Sequence, residues 1–347
     1  MKRSLFHCAL LAFAAGGAAL PASGAPPVDE EAKRWLERML QATQNLNYEG
    51  TFIYVQGPHI EAMRIAHGGG EGGERQRLVS LTGPTREILI GNAGVISLLP
   101  KRQTTFSGSD YQHARFPISI PRELGRLENQ YALVIEGQDR TAGVETQVVA
   151  IKPRDSLRYG YRLWLDQRNG MLLRSALLDE NGYPIEQLMF TDLQFKQQMD
   201  EAIFKPPVAA DNAKQSLVAS VVDGAPEPPS GVPVTRSAWT VARLPDGFSK
   251  ILHNRFTESS GRHPTEHMVF ADGLATVSVF VERLNGAAPL LEGSSRLGSM
   301  NAFGSHLDDY QVVVVGEVPA ATVQTIAASI SYDPQLPGKP AGEEGKP

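Results

Sequence analysis

The chain has 347 residues, and its 33 Lys and Arg against 38 Asp and Glu give a formal net charge of −5. This balance gives no reason to expect nucleic acid as a partner, because surfaces that bind phosphate backbones are strongly basic. The one cysteine, Cys8, excludes a disulfide within the chain and any cysteine-based metal site. At this length, two domains are the natural expectation.

The first residues have the pattern of an export signal. Lys2 and Arg3 precede an apolar run over about Leu5–Leu20, and small residues follow it. The run is interrupted by two glycines and falls short of the ~20 apolar residues that a membrane span needs. A cleaved signal peptide over residues 1–25 is therefore predicted, rather than a membrane anchor.

A helix is predicted over Val28–Asn47, where apolar residues repeat at helical spacing and acidic residues fill the first turn. From Tyr48 onward the apolar period changes to two, which predicts short strands separated by Gly, Pro or Asn. A less regular stretch around Phe106–Leu127 interrupts this series, with one short helix expected after Pro121. The strand segments are NYEGTFIYVQ, EAMRIAH, QRLVSLTG, TREILIG, GVISLLP, YALVIEGQ, TQVVAIKP and the hairpin RYGYRLWLDQRNGMLLRSALLDENG.

The composition changes after the first unit, which is predicted to span residues 28–205. Residues 206–233 are rich in Pro and Gly and predict a linker. A second, strand-rich unit is predicted over residues 234–333, with a closing helix over Ala320–Ile330. The tail, residues 334–347, consists largely of Pro, Gly and Glu and is predicted to be disordered.

The first unit has more apolar sheet than one helix can cover. The hairpin Arg158–Gly182, for example, carries apolar residues on both faces. Either all of these residues form a plain core that the irregular stretch closes, or an incompletely closed sheet uses part of them as an apolar trough. In the second interpretation, one face of the hairpin packs on the helix and the other lines the trough. The predicted lining residues are Phe52, Tyr54, Met63, Ile65, Ile88, Ile90, Leu163, Leu165 and Met189.

Two motifs have the letters of chemical sites in an unsuitable context. HGGGEGG contains G-x-G-x-x-G but continues into an alternating strand pattern, which favours a hairpin loop over a dinucleotide site. HPTEH matches an inverted zinc-protease motif, but Pro264 and the alternation after it argue against the required helix. Without a G-x-S-x-G nucleophile elbow or another catalytic constellation, the sequence predicts no enzyme, no metal site and no cofactor.

Several long segments follow one another in a recognisable order. They are NYEGTFIYVQ, EAMRIAH, ERQRLVSLTGPTREILI, the hairpin, WTVARLPDGF, FADGLATVSVFVE and VVVVGEVPAATVQTIAASI. In this order they resemble the RseB/MucB family of regulators of the envelope stress factor sigma-E, and the resemblance covers about Trp35–Ile330. It implies an α+β fold, with an N-terminal unclosed β-barrel (a half-barrel with helices) similar to the carriers LolA and LolB, and a smaller C-terminal α+β domain.

The resemblance also implies a function. Such a protein is periplasmic, binds the periplasmic part of a membrane anti-sigma factor (RseA/MucA-like) and shields it from DegS-type site-1 proteolysis. Lipid signals, either lipid A and lipopolysaccharide or lipoprotein acyl chains, weaken that complex, and the sigma factor is then released. The alternative is a lipoprotein or lipid carrier of the LolA type, against which the second unit argues. A homo-oligomer is left open.

Two further hypotheses concern binding surfaces. Arg75, Arg77 and Arg86 lie near the predicted sheet and could meet lipid phosphates, although a solvated edge is the simpler interpretation for each. The segments FADGLATVSVFVE and DYQVVVVGEVP of the second unit could offer a sheet edge to an extended anti-sigma peptide.

Overall fold

The structure is a computed structural model. It describes residues 30–70, 73–91, 94–99, 102–106, 120–205, 231–256, 264–284, 286 and 288–333.

Most of the first unit forms one antiparallel sheet of eleven strands, here called the larger sheet. The strands, in chain order, are Asn47–Gln56 (β1), His59–Gly68 (β2), Arg75–Ser80 (β3), Glu87–Gly91 (β4), Gly94–Leu99 (β5), Arg102–Phe106 (β6), Tyr131–Thr141 (β7), Val144–Pro153 (β8), Gly160–Asp166 (β9), Leu172–Leu178 (β10) and Pro184–Lys196 (β11). The sheet order is β6-β5-β4-β3-β2-β1-β11-β10-β9-β8-β7. Within the described residues, β6 and β7 are edges that do not pair, so the barrel is unclosed.

One helix, Glu30–Asn45 (α1), covers part of one face of this sheet. Glu30 and Glu31 occupy its first turn, where carboxylates suit the helix dipole. Its buried side chains, which include Leu36 and Met39, share a core with β7–β10. The turn between β9 and β10 packs directly on the helix, because Gly170 has φ +80 and an added Cβ would lie 3.0 Å from the Cβ of Arg38.

The second unit has a smaller antiparallel sheet with one helix, Ala320–Ala327 (α2). The strands are Val232–Pro233 (β12), Trp239–Val241 (β13), Ser249–Phe256 (β14), Thr265–Ala271 (β15), Thr276–Arg283 (β16), Gly293–Leu297 (β17), Met300–Leu307 (β18), Tyr310–Gly316 (β19) and Ile330–Tyr332 (β20). Seven of them form the smaller sheet in the order β12-β14-β15-β16-β19-β18-β17, and β13 pairs with β20. Val323 and Ile326 of α2 pack on the valines of β16 and β19.

The closing helix is shorter than predicted. It ends at Ala327 instead of Ile330, because Ile330 begins β20 and pairs with Val241. The helix expected after Pro121 is a single 3-10 turn, Leu124–Arg126. HGGGEGG connects β2 to β3, which is the predicted hairpin arrangement, and most of HPTEH lies at the start of strand β15.

Some predictions fall on parts of the chain outside the described residues. They are the signal peptide 1–25, the tail 334–347, the linker over 206–230 and the irregular stretch over 107–119. Among the residues that the structure does describe, no helix is long and apolar enough to cross a membrane. The same residues contain no cluster of His, Cys, Asp and Glu that could hold a metal ion.

Candidate functional site

A cavity of about 620 Å³ lies between the larger and the smaller sheet. The larger sheet supplies most of its apolar wall. The smaller sheet supplies a second wall from β16, the start of β18, the end of β19 and the turns beside them. Its apolar and aromatic lining consists of Phe52, Tyr54, Met63, Leu78, Ile88, Tyr161, Leu177, Leu188, Leu274, Met300 and Val315.

Strand register explains why side chains from β1, β2 and β11 meet at this cavity. Phe52 lies opposite Met63 on β2, and Tyr54 lies opposite Leu188 on β11. Residues opposite each other in an antiparallel pair point to the same face, and alternate residues along a strand do so too. Phe52 and Met63 are buried in one core cluster with Leu188, and Tyr54 packs against that cluster.

The cavity and α1 share one face of the larger sheet. On β9, Tyr161 lines the cavity, while Leu163 and Leu165 two and four residues later pack against Leu36 of α1. Alternation places these three side chains on the same face. The expectation that opposite faces of the hairpin serve the helix and the trough is therefore wrong. Here, one face serves both, at different positions along the strand.

The outer face of the hairpin has a small apolar cluster of its own. Trp164, Ala176 and Val148 are buried together there. The Arg174 guanidinium lies 4.2 Å from the centre of the Trp164 ring, and the Trp164 Nε1–H donates to Asp139 at 2.8 Å. These contacts account for the second apolar face without a ligand.

The structure brings four of the nine predicted lining residues to the cavity, namely Phe52, Tyr54, Met63 and Ile88. Ile65 and Ile90 belong to the adjoining core cluster but do not line the cavity. Leu163 and Leu165 lie under α1. Met189 lies between buried Leu188 and Phe190 and is 38% exposed, so it points away from the cavity.

Sequence reasoning missed the lining residues Leu78, Leu177 and Leu188 and the whole wall from the smaller sheet. On β11 the sequence signal is ambiguous, because Leu188 and Met189 are both apolar, and the alternation that contains Met189 is the outward-facing one. The burial of Phe190 beside the cavity wall marks the correct phase. No periodicity within one unit predicts a wall that the other unit supplies.

Comparisons with known proteins identify the family of this chain. The MucB/RseB N-terminal domain model matches residues 31–208, and the MucB/RseB C-terminal domain model matches residues 233–331. The chain belongs to the MucB/RseB family. The sigma-E factor regulatory protein RseB of Escherichia coli K12 is 28% identical over 337 residues, which are 96% of this chain and 99% of that protein. The AlgU regulatory protein MucB of Pseudomonas aeruginosa is 31% identical and covers 86% of this chain and 90% of its own length.

Solved structures of MucB agree with the observed fold. MucB in complex with MucA(peri) has a TM-score of 0.65 and 28% identity, covering 87% of this chain and 99% of that one. The Pseudomonas aeruginosa MucA/MucB complex has a TM-score of 0.67 and 27% identity, with the same coverage. The predicted α+β half-barrel with a smaller second domain, and the resemblance to RseB/MucB, are thus confirmed. These MucB/RseB relatives are named as regulatory proteins rather than enzymes.

In this MucB/RseB chain, one end of the contact between the two sheets is a buried ion pair. The Arg158 guanidinium donates to Asp272 at 2.8 Å, and both side chains are fully buried. Arg158 also donates to the Asp246 carbonyl at 2.7 Å, and the Tyr131 hydroxyl donates to Asp272 at 2.9 Å. The rings of Tyr131 and Phe248 lie 5.6 and 5.3 Å from the guanidinium carbon. We call these residues the arginine end.

The other end of the contact borders the cavity and contains two carboxylates, Glu186 of β11 and Glu317 after β19. The buried Ser299 hydroxyl contacts both of them, and its oxygen lies 2.7 Å from Glu317 Oε1. Gln56 also donates to Glu186, and the Tyr161 hydroxyl lies 3.5 Å from Glu317. We call this set the carboxylate end. Among the described residues, no Lys or Arg forms an ion pair with either carboxylate.

The three arginines of the lipid-phosphate hypothesis are engaged in ion pairs. Arg75 pairs with Glu201, Arg77 Nε lies 2.6 Å from Glu87, and Arg86 lies 2.9 Å from Glu61 at the cavity. An arginine already paired with a carboxylate must give up that partner to bind phosphate. Phosphate binding by these residues remains a hypothesis.

Proposed function

We propose that this chain is a periplasmic regulator that binds the periplasmic part of a membrane anti-sigma factor (RseA/MucA-like). In this role it shields the anti-sigma factor from DegS-type site-1 proteolysis and thereby restrains a sigma-E-type factor. Lipid A, lipopolysaccharide or lipoprotein acyl chains release it. The observation that carries the proposal is the match to both domains of a family of named sigma-E and AlgU regulatory proteins, one of which is crystallised with MucA.

The division of the chain follows from this proposal. Residues 1–25 are a cleaved signal peptide, and residues 28–205 form the lipid-sensing half-barrel. Residues 206–231 are a linker, and residues 232–333 form the anti-sigma-binding domain, because Val232–Pro233 pairs with β14 in the smaller sheet. The export pattern at the start of the chain supports a periplasmic location.

The cavity supports a lipid ligand. Its volume of about 620 Å³ lies within the ~300–1,000 Å³ of ordinary small-molecule sites. Its wall from the larger sheet is mainly aliphatic and aromatic, which suits acyl chains, and Met63 adds a flexible side chain that adapts to different chains. The predicted site is accordingly narrowed to Phe52, Tyr54, Met63 and Ile88, together with Leu78, Leu177 and Leu188.

One binding assay tests the regulator function. Purified protein is mixed with the tagged periplasmic segment of the cognate anti-sigma factor, with and without lipid A. Specific capture that lipid A weakens is the expected result. Lipid binding without capture of the anti-sigma segment would instead favour a LolA-type carrier, and no binding of either would reject both functions.

Two matched variants test the cavity as the lipid site. Ile88→Glu and Ile90→Glu make the same change on one strand, but only Ile88 lines the cavity. A charge on an apolar wall opposes acyl-chain binding, so Ile88→Glu is expected to weaken lipid A binding at least about tenfold, a loss of ~1.4 kcal/mol. Ile90→Glu is expected to bind as the parent does. Equal binding by both variants, each with a native circular dichroism spectrum, would reject this site.

The prediction of which strands offer a sheet edge to the anti-sigma peptide needs a correction. FADGLATVSVFVE and DYQVVVVGEVP form β16 and β19, each of which is paired on both sides within the smaller sheet. They cannot therefore offer an edge. The outermost strands of the smaller sheet are β17 at one edge and the two-residue strand β12 at the other. Because β12 pairs with only two residues of β14, most of β14 is also an open edge.

We propose that β14 receives an extended anti-sigma segment by strand addition. Ile251 on β14 is 54% exposed, and Ile60 on the larger sheet is 66% exposed. Ile251→Glu is expected to weaken capture of the anti-sigma segment, while Ile60→Glu leaves it unchanged. Unaltered capture by Ile251→Glu would remove β14 from the interface.

A further inference from the structure

At the carboxylate end, one serine hydroxyl contacts two carboxylates but has only one hydrogen to donate. The Ser299 oxygen is within hydrogen-bond distance of Glu186 Oε1 and of Glu317 Oε1. A serine hydroxyl donates one hydrogen, and an ionised carboxylate donates none. Both contacts are hydrogen bonds only if one carboxyl group carries a proton and donates it to the serine oxygen. A proton shared between the two carboxyl groups accounts for both contacts as full hydrogen bonds.

We propose that Glu186, Ser299 and Glu317 form a proton-dependent latch between the two sheets, beside the cavity, and that the arginine end acts as the fixed side about which the latch opens. When the carboxyl proton is present, the three side chains bridge the sheets. When both carboxyl groups are ionised, two negative charges face each other in a half-buried position with only neutral donors, and the contact is weakened.

Among the described residues, no Lys or Arg pairs with either latch carboxylate in place of that proton. Ser299 is 1% exposed, so water screens this position little. Arg86, the one arginine among the described residues that line the cavity, is already paired with Glu61. Arg296 on β17 donates to the Gly298 carbonyl instead. The charged and titratable groups that face the latch are Tyr54 of β1, Glu61 of β2, Arg86 before β4, Tyr161 of β9 and Arg296 of β17.

The electrostatics of Glu317 agree with this geometry. Burial raises the pKa of the Glu317 carboxyl, and the negative charge of Glu186 raises it further, against the lowering effect of hydrogen bonds from Ser299 and Tyr161. A carboxyl group whose pKa is raised in the closed state stabilises that state when protonated. The stabilisation is fully present below the ordinary pKa of 4.5 and is lost as the pH rises through the raised value. A lower pH therefore favours the closed latch, and a rising pH loosens it.

The latch has a consequence for ligand entry, and this part of the inference rests on the proposed lipid function. The cavity has one wall on each sheet, so a chain larger than the closed space must separate them. Separation at the carboxylate end breaks contacts among like charges, whereas separation at the arginine end breaks a buried ion pair. A ligand therefore opens the carboxylate end first, and more readily at higher pH.

Spin-label distances test the latch without lipid or anti-sigma partner. Ile60 and Leu297 are 66% and 78% exposed and lie on opposite sides of the latch. With Cys8 changed to Ser, labels at Ile60→Cys and Leu297→Cys report the separation by pulsed electron paramagnetic resonance. The distance distribution is expected to be longer and broader at about pH 8 than at about pH 5.

A reference pair at the arginine end distinguishes opening from general loosening. Arg126 and Ser249 are exposed and lie near that end, on the two different units. Labels at Arg126→Cys and Ser249→Cys are expected to give the same distance at both pH values. A change of the same size in both pairs would overturn the latch, because the arginine end would then not be fixed.

Two variants in the labelled background complete the test. Glu317→Gln keeps a donor and an acceptor without a titrating proton, so the latch pair is expected to stay short at both pH values. Ser299→Ala removes the bridge, so the distance is expected to be long at both. A parent distance that does not change with pH, or the same pH dependence in Glu317→Gln, would overturn the proposal. If lipid A at about pH 5 leaves the latch distance unchanged, the coupling to ligand is rejected while the pH result stands on its own.

Discussion

At the arginine end of the contact between the sheets, the Arg158 guanidinium is buried against Asp272, a neighbouring carbonyl and two aromatic rings. At the carboxylate end, Glu186 and Glu317 are held by the hydroxyl of Ser299 and other neutral donors. The first set joins a cation to a fully buried carboxylate. The second joins two half-buried carboxylates without a cation, so that one proton removes half of its negative charge. The two contacts therefore differ in what can break them.

Removing the arginine gives the largest expected effect on this comparison. Arg158→Met leaves Asp272 buried without its cation, and loss of one partner of a buried pair costs about 3–5 kcal/mol. We expect the free energy of unfolding in urea to fall by that amount. Arg126→Met is the matched control, because Arg126 is 75% exposed and pairs only with Glu123, a pair expected to contribute less than ~1 kcal/mol. Equal losses in the two variants would show that the arginine end is no stronger than a surface pair.

Glu266 provides a carboxylate with the opposite response to acid. Burial raises its pKa, but hydrogen bonds from His253, Arg255 and Ser237 outweigh burial and lower the pKa to about 2. A pKa that is lower in the folded state gives stability that is present above the ordinary value of 4.5 and is lost as the pH falls towards 2. At ~1.4 kcal/mol per unit, the loss is on the order of 3 kcal/mol. Acid thus weakens this site while it closes the latch.

Urea unfolding at about pH 6 and about pH 3 measures this response. Between these two pH values, Glu266→Gln is expected to reduce the pH dependence of the parent by on the order of 2 kcal/mol, since the rest of the loss lies at still lower pH. Glu292→Gln is the control, since Glu292 also faces a histidine, His306 at 3.4 Å, but is 67% exposed. The interpretation fails if Glu266→Gln and the parent lose the same stability in acid.

A neutral contact across the same interface gives the smallest effect. Asn301 Nδ2 donates to the Tyr159 hydroxyl at 2.9 Å and to the Val318 carbonyl at 2.8 Å. Tyr159→Phe removes one of these bonds, so the free energy of unfolding is expected to fall by about 1 kcal/mol, without pH dependence. Tyr183→Phe, at a side chain 70% exposed, is expected to have no effect. A pH-dependent loss in Tyr159→Phe would show that this contact belongs with the latch.

Much of the fold was predictable because it depends on local patterns. The helical spacing over Val28–Asn47 became α1 at Glu30–Asn45, and the period of two gave the strands of the larger sheet. The end of α2 was not predictable in the same way, because Ile330 fits a helical stripe and is drawn into β20 only by pairing with Val241.

The candidate site was predictable only in part, because periodicity identifies a face but not what covers it. Phe52 and Leu163 satisfy the same alternation, yet one lines the cavity and the other lies under α1. The carboxylate end had no sequence signal at all. Glu186, Ser299 and Glu317 lie on separate strands or turns of two sheets, and only the tertiary fold brings them together.

The pairing of β1 with β11 determines when the cavity can exist during folding. Every other neighbouring pair of strands in the larger sheet is consecutive along the chain, so β1–β6 and β7–β11 can each form from local hairpins. The pairing of β1 with β11, by contrast, joins residues as distant as Asn47 and Lys196. Contacts between distant segments form slowly, because the intervening chain must first be ordered. Phe52 and Leu188 lie on opposite sides of this seam. The apolar wall of the cavity therefore stays uncovered, and open to aggregation, until β11 has been synthesised and has joined β1.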